Sequence, residues 1–136
     1  SAAIRANSKC LSADVNAAYD PNFAEVLEKQ NATYLSCGAG VTKFTGARGK
    51  SGSSDADAEY VGFLRKLFDE NGVIWQTGEL GKVDEGGGGT VAMFIANMGV
   101  DVIDLGVPVL SMHAPFETTS KFDVYMCYKA MYEFMK

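Results

Sequence analysis

Apolar positions along the chain follow two rhythms. Val61, Leu64, Leu67 and Phe68 recur at helical spacing, with Ser54 and Asp57 as a capping signal before them and Asn71-Gly72 as the stop. A second capping pair, Ser120 with Asp123, opens a terminal helix whose apolar face is Phe122, Val124, Tyr128, Met131, Tyr132 and Met135. Elsewhere the rhythm is that of strands. Residues 8–15 read as a short strand running into a polar turn closed by Asp20-Pro21-Asn22, which puts Asp14 at a strand end. Residues 31–46 alternate around Gly38 and Gly40 as strand, glycine turn and strand, followed by a positively charged loop over 46–52. Residues 73–77 begin with the continuous apolar character of an inner strand, and the run Gly86-Gly87-Gly88-Gly89 leads into a helix over 90–98 that Gly99 stops. A second apolar stretch, 100–112, is interrupted by Asp104, Gly106 and Pro108 and delivers His113 to its C-terminal end. Strands alternating with helices predict an α/β layered domain, a mixed sheet flanked by helices, with reactive groups at strand ends. No repeat or linker divides residues 1–136, so one domain is expected.

Composition narrows the function. With 136 residues, 47% hydrophobic, the chain can bury a core, and a net charge of −5 argues against nucleic acid as a partner. No stretch approaches the roughly 20 apolar residues of a membrane helix. The first residues carry no signal-peptide pattern, so a cytoplasmic setting is expected. Cys10, Cys37 and Cys127 are odd in number and lack a C-x-x-C pair, which suits three buried thiols rather than a disulfide framework or a structural zinc site.

His113 is the only histidine, which excludes an H-E-x-x-H metallopeptidase site within the chain. A Ser-His-Asp arrangement with Ser12 or Ser111 lacks the G-x-S-x-G elbow. Taken alone, His113 reads as a structural imidazole and Asp14 as a turn former. The glycine run before Thr90 lacks the G-K-[ST] ending of a phosphate loop, leaving a close-approach loop beside a substrate backbone or a plain turn. Lys43, Arg48 and Lys50 form a small basic group. Glu79, Asp84 and Glu85 read as surface acids, with Glu79 just beyond an apolar strand.

Three segments in order change this picture: Ser12-Ala13-Asp14-Val15 with Asp20-Pro21-Asn22, residues 81–90 through the glycine run, and Leu110-Ser111-Met112-His113-Ala114-Pro115-Phe116-Glu117. Together they resemble the aspartyl aminopeptidase / aminopeptidase I family of dinuclear zinc peptidases, over essentially the whole chain. The resemblance implies that Asp14 binds one Zn2+ and His113 the other. Lys43, Gly88 and Gly89 then fall on the substrate side, and the substrate is a peptide that loses its N-terminal residue. Ala17 and Asp20 stand where some members carry imidazoles. The family's bridging aspartate, second histidine and Glu-Glu pair, which includes the general base, lie upstream of the segment matched. The expectation is therefore the C-terminal portion of a zinc aminopeptidase catalytic domain, inactive alone and part of a homo-oligomer when complete. A binding or assembly module of the same fold is the alternative.

Overall fold

The computed structural model describes residues 1–47, 51–82 and 84–136. In chain order its elements are α1 (Ala2–Ala6), β1 (Lys9–Ala17), a 3-10 turn (Pro21–Val26), β2 (Ala39–Thr42), β3 (Phe44–Ala47), β4 (Ser51–Asp55), α2 (Ala58–Glu70), β5 (Trp75–Thr77), α3 (Ala92–Ala96), β6 (Asp101–Leu110), β7 (Thr118–Thr119) and α4 (Lys121–Met135). β6 is the spine of a mixed sheet ordered β1-β6-β2-β5, with β7 hydrogen-bonded to its far end. β1 runs parallel to β6 and β2 antiparallel to it, while β5 runs parallel to β2. The expected α/β layered domain is therefore present.

Alternation in β6 separates two faces. Ile103 and Leu105 point into a core completed by Ala39 and Val41, by Tyr60, Leu64 and Phe68 of α2, and by Met126, Cys127 and Ala130 of α4. Asp104, Gly106 and Pro108 fall on the opposite face, level with Ser12, Asp14 and Asn16 of β1. Pro108 is tolerated in this central strand because β2 pairing has already ended at Gly106, so the missing N–H leaves no partner stranded on that side.

The structure departs from the sequence reading in several places, each with a local cause. β1 continues to Ala17, so Asp14 lies inside the strand rather than at its end. Residues 31–37 form no strand; their one pairing is the bridge between Ala18 and Thr33, and Gly38, at φ 100°, opens β2. The expected loop over 46–52 is instead a hairpin of β3 and β4, and its turn, with Arg48 and Lys50, lies outside the described residues. Ser54 belongs to that hairpin, so α2 is capped by Asp57, whose carboxylate accepts from the N–H groups of Glu59 and Tyr60. α3 is only five residues long and has no side-chain cap, because its N-cap is Val91, which has no polar side chain.

The largest departure is the orientation of α4. Asp123 does not reach back to cap the helix; it is fully buried and accepts from the N–H groups of Ser36 at 2.8 Å and Gly38 at 2.7 Å. An acid satisfied in this way can face a core. It turns Phe122, Val124, Tyr128, Tyr132 and Met135 outward, and of the expected stripe only Met131 packs against the core. Tyr125, Tyr128 and Tyr132 stack along the exposed side with ring centroids 6.2 Å apart. The chain as a whole exposes 7975 Å². An ordinary globular protein of 14.5 kDa exposes about 6,900 Å². The thiols also differ from expectation: Cys127 is buried, Cys10 half-buried and Cys37 exposed. Cys37 sits in the irregular segment ahead of β2, where no strand alternation turns it inward.

Candidate functional site

The polar face of the sheet gathers acids and amides on adjacent strands. Ser12 pairs in register with Asp104, Asp14 with Gly106 and Asn16 with Pro108, so all three β1 side chains project to one side. Gly106 permits the strands to approach there, since a Cβ would come within 2.9 Å of the Asp14 carbonyl oxygen. Asn16 lies over Gly40 and its side-chain oxygen accepts from the Thr42 hydroxyl at 3.1 Å. Asp104 is 4% exposed, and one of its oxygens accepts from the Thr90 hydroxyl at 2.8 Å. Its other oxygen has no partner among the described residues, nor do the Ser12 hydroxyl and the Asn16 amide nitrogen. Burial raises the Asp104 pKa, and the Asp14 charge on the same face adds to the rise. Thr90 acts in the opposite direction, as does the Ser12 hydroxyl, which is near without meeting hydrogen-bond geometry.

Asp14 itself is exposed. One carboxylate oxygen accepts from the following N–H, Val15, at 2.8 Å, which fixes the side chain and leaves the second oxygen available. His113 stands beyond the end of β6, exposed, in the turn that reverses the chain into β7. Ser111 and His113 both hold positive φ, 58° and 67°, and the His113 N–H donates to the Glu117 carboxylate. Two non-glycine residues in the left-handed region within three positions mark a constrained turn. Asp14 is level with Gly106, four positions before Leu110, so β6 carries the chain about 13 Å further before that turn begins. Asp14 lies in the C-terminal half of β1 and His113 beyond the C-terminal end of the parallel β6, the end of an α/β sheet at which ligands are exposed.

A carboxylate oxygen and an imidazole are donors that suit zinc. No group of three or more His, Cys, Asp or Glu able to hold a metal occurs among the described residues. Asp14 and His113 are each of ligand type, and among the described residues they do not form a complete set.

A separate cavity of about 260 Å³ opens between the β3 end and the glycine run, lined by Phe44 to Gly46, Glu79 to Lys82, Asp84, Gly86 and Gly87. Gly87, at φ 102°, sits against the Gly46 carbonyl so closely that any Cβ would overlap it, and a Cβ on Gly86 would come within 2.8 Å of the Lys82 nitrogen. Gly88 and Gly89 have more room, with nearest atoms at 3.8 and 4.0 Å. Close approach to the chain's own backbone is therefore required of the first half of the run, while Gly88 and Gly89 leave room beside them. Lys43 borders a smaller hollow with Glu79, and its ammonium is ion-paired with Asp55. Neither the engagement of Asp104 by Thr90 nor the contact of Gly87 with Gly46 follows from the sequence. For Asp104 a signal existed, an acid interrupting an apolar run, whereas the contact of Gly87 with Gly46 exists only in three dimensions.

A mixed sheet with an acid inside one strand, a histidine beyond the next and a glycine loop beside a cavity makes this an α/β domain with its polar groups on one face. The family model of the aminopeptidase I zinc metalloproteases, M18, matches residues 1–135, and the chain belongs to that family. It is 55% identical over 119 residues to a probable M18 family aminopeptidase 1 of Clostridium acetobutylicum, a match covering 88% of this chain and 26% of that protein. Its structure superimposes on an M18-family aminopeptidase of Thermotoga maritima with a TM-score of 0.95 at 47% identity, covering 99% of this chain and 30% of the other. It also matches the Saccharomyces cerevisiae aminopeptidase 1 dodecamer with a TM-score of 0.77 at 28% identity, covering 98% of this chain and 28% of the other. The chain therefore spans under a third of the length of these relatives. Among the described residues no helix is long and apolar enough to cross a membrane.

Proposed function

We propose that these 136 residues are the portion of a zinc aminopeptidase that supplies one ligand to each of two Zn2+ ions and one wall of the substrate pocket. What supports the reading is an exposed, pre-oriented Asp14 on β1 together with an exposed His113 on the constrained turn beyond the neighbouring β6. When bound, the two ions polarise the scissile carbonyl and lower the pKa of bound water to about 7. Asp14 would hold one ion through its available oxygen and His113 the other through its imidazole. The cavity beside Gly86 and Gly87 would receive the N-terminal residue of a peptide, with Gly88 and Gly89 carrying the loop onward to Thr90. Lys43 borders the pocket region with its charge already balanced by Asp55, which supports a neutral N-terminal residue over an acidic one.

The general base and the remaining ligands come from outside these residues, consistent with the share of the relatives that the chain covers. The excess surface and the outward aromatic face of α4 support the same reading, as does the dodecameric relative for a homo-oligomeric whole protein. The 136-residue chain given Zn2+ should hydrolyse no dipeptide, since loss of a general base alone costs about 10² to 10⁴ in rate. The full-length protein should hydrolyse dipeptides and stop when chelated. Turnover by the 136-residue chain would refute the assignment, and chelator-resistant turnover by the full-length protein would refute the metal.

A further inference from the structure

The cavity has two walls of different origin. One, Phe44 to Gly46, is part of the β3–β4 hairpin and is held by backbone pairing with Thr45 opposite Ser54. The other is the glycine run, which has no regular structure and no side chains with which to anchor itself. Glycine chains resist ordering because they lose the most conformational freedom on folding. The run is held at three points. Its first glycine donates its N–H to the Lys82 carbonyl at 2.7 Å, Gly87 rests on the Gly46 carbonyl, and Thr90 at its end donates a hydroxyl hydrogen bond to Asp104.

Only the last point joins the run to the main sheet. Asp104 is unusual for the acceptor of a simple loop contact: it sits in the central strand, 4% exposed, where a carboxylate is costly. A serine or asparagine would accept a hydroxyl at less cost. Resting on the reading of the cavity as the pocket for the substrate's N-terminal residue, we propose that Asp104 is a positioning residue. Through the Thr90 hydroxyl it fixes the glycine wall of the pocket relative to the strand face that carries Asp14. The reach is short, since Thr90 follows Gly89 directly and Asp104 lies two positions along β6 from Gly106, the register partner of Asp14. Loosening this tether lets the wall move against the hairpin, so the substrate meets a less ordered pocket and binding suffers before the chemical step does.

The test uses full-length protein loaded with Zn2+ and a neutral aminoacyl p-nitroanilide, with Thr90→Val and Thr90→Ser as the variants. Valine keeps the shape and removes the hydroxyl; serine keeps the hydroxyl. Thr90→Val should raise KM about 10-fold with kcat within about 3-fold of the parent, and Thr90→Ser should restore KM. Asp104→Asn, which retains an acceptor oxygen, should stay near the parent, whereas Asp104→Leu should match Thr90→Val. Amide hydrogen exchange over residues 84–91 reads the tether without reference to activity, and should quicken in Thr90→Val but not in Thr90→Ser. Unchanged exchange in Thr90→Val overturns the proposal whatever the kinetics. Faster exchange with unchanged KM in an active enzyme also overturns it, by removing the substrate from this cavity while leaving the aminopeptidase reading intact. A full-length protein without peptide turnover refutes the functional reading and the kinetic half of the proposal together, and exchange then decides the tether alone.

Discussion

The two faces of the sheet are built on opposite terms. One is closed by α2 and α4 over Ile103 and Leu105, and the one acid that enters it, Asp123, is satisfied by two backbone N–H groups. The other carries Ser12, Asn16 and Asp104 with three buried polar atoms that lack partners, beside an exposed Asp14. Polar groups that find no partner among the described residues suit a face that serves more than packing. The apolar face therefore carries the core, while the polar face presents polar groups in fixed positions.

That division can be broken by mutations that should act on one face alone. Phe68→Ala, on the closed face and fully buried, should cost about 3–5 kcal/mol in urea denaturation. A loss under about 1 kcal/mol would mean that α2 is not the lid of the core. Asp14→Ala should leave stability within about 0.5 kcal/mol, since the side chain is exposed and bonded only to its neighbour's N–H. It should nonetheless reduce aminopeptidase activity of the full-length protein by more than about 100-fold, because even the partners behind a metal ligand reach that loss. Stability falling in step with activity would place Asp14 among the structural acids.

The contrast between faces also explains what could be read without a structure. The periodicity of α2 and the apolar run of β6 were legible because burial on the closed face follows hydrophobicity directly, whereas β5, expected as an inner strand, is the last strand of the described sheet, with Ile74 just before it exposed. α4 misled because an aromatic-rich stripe is outward and its inward side contains Asp123, which accepts from the N–H groups of Ser36 and Gly38, 87 and 85 positions away. Asp14 and His113 were legible from motif context rather than from spacing, because nothing local distinguishes a ligand carboxylate from a turn former. Asp104 showed as an interruption of an apolar run, but its role depends on Thr90, fourteen positions distant, and on which face of β6 it occupies.

Smaller effects sharpen the comparison further. Gly87→Ala meets both a positive φ and the Gly46 carbonyl, so it should destabilise by about 1–3 kcal/mol and raise KM, while Gly88→Ala, with its nearest atom at 3.8 Å, should do neither to that extent. Equal behaviour of the two would argue that the run is a plain flexible turn. Asp104→Asn should alter stability in a pH-dependent way. The folded-state pKa of Asp104 is raised by burial, so its proton favours folding: that contribution is complete below the ordinary carboxylate value and is lost as pH rises through the folded pKa. Asparagine cannot ionise, so in chelated protein the variant should gain thermal midpoint over the parent at pH 7 relative to pH 4. An equal difference at both pH values would show that Asp104 does not ionise at a cost.

The thiols offer the mildest test, because each reports on a different environment without a mutation in the sheet. Cys127 belongs to the closed face; burial first, and then the Asp123 charge, push its pKa up to about 12. At pH 8 the thiolate fraction is then about 10⁻⁴, and the group is also out of reach of a reagent. Cys10 lies on β1 in the same alternating set as Ser12 and Asp14, half-buried, with its pKa raised by burial and by Asp104. Cys37 is exposed. An aromatic disulfide reagent at pH 8 should therefore label Cys37 first and Cys10 slowly in the folded protein, reaching Cys127 only on unfolding. In Cys37→Ser the fast phase should vanish. If Cys10 and Cys127 instead react together, at the rate of global unfolding, the polar face opens no more readily than the core and the distinction between the two faces fails.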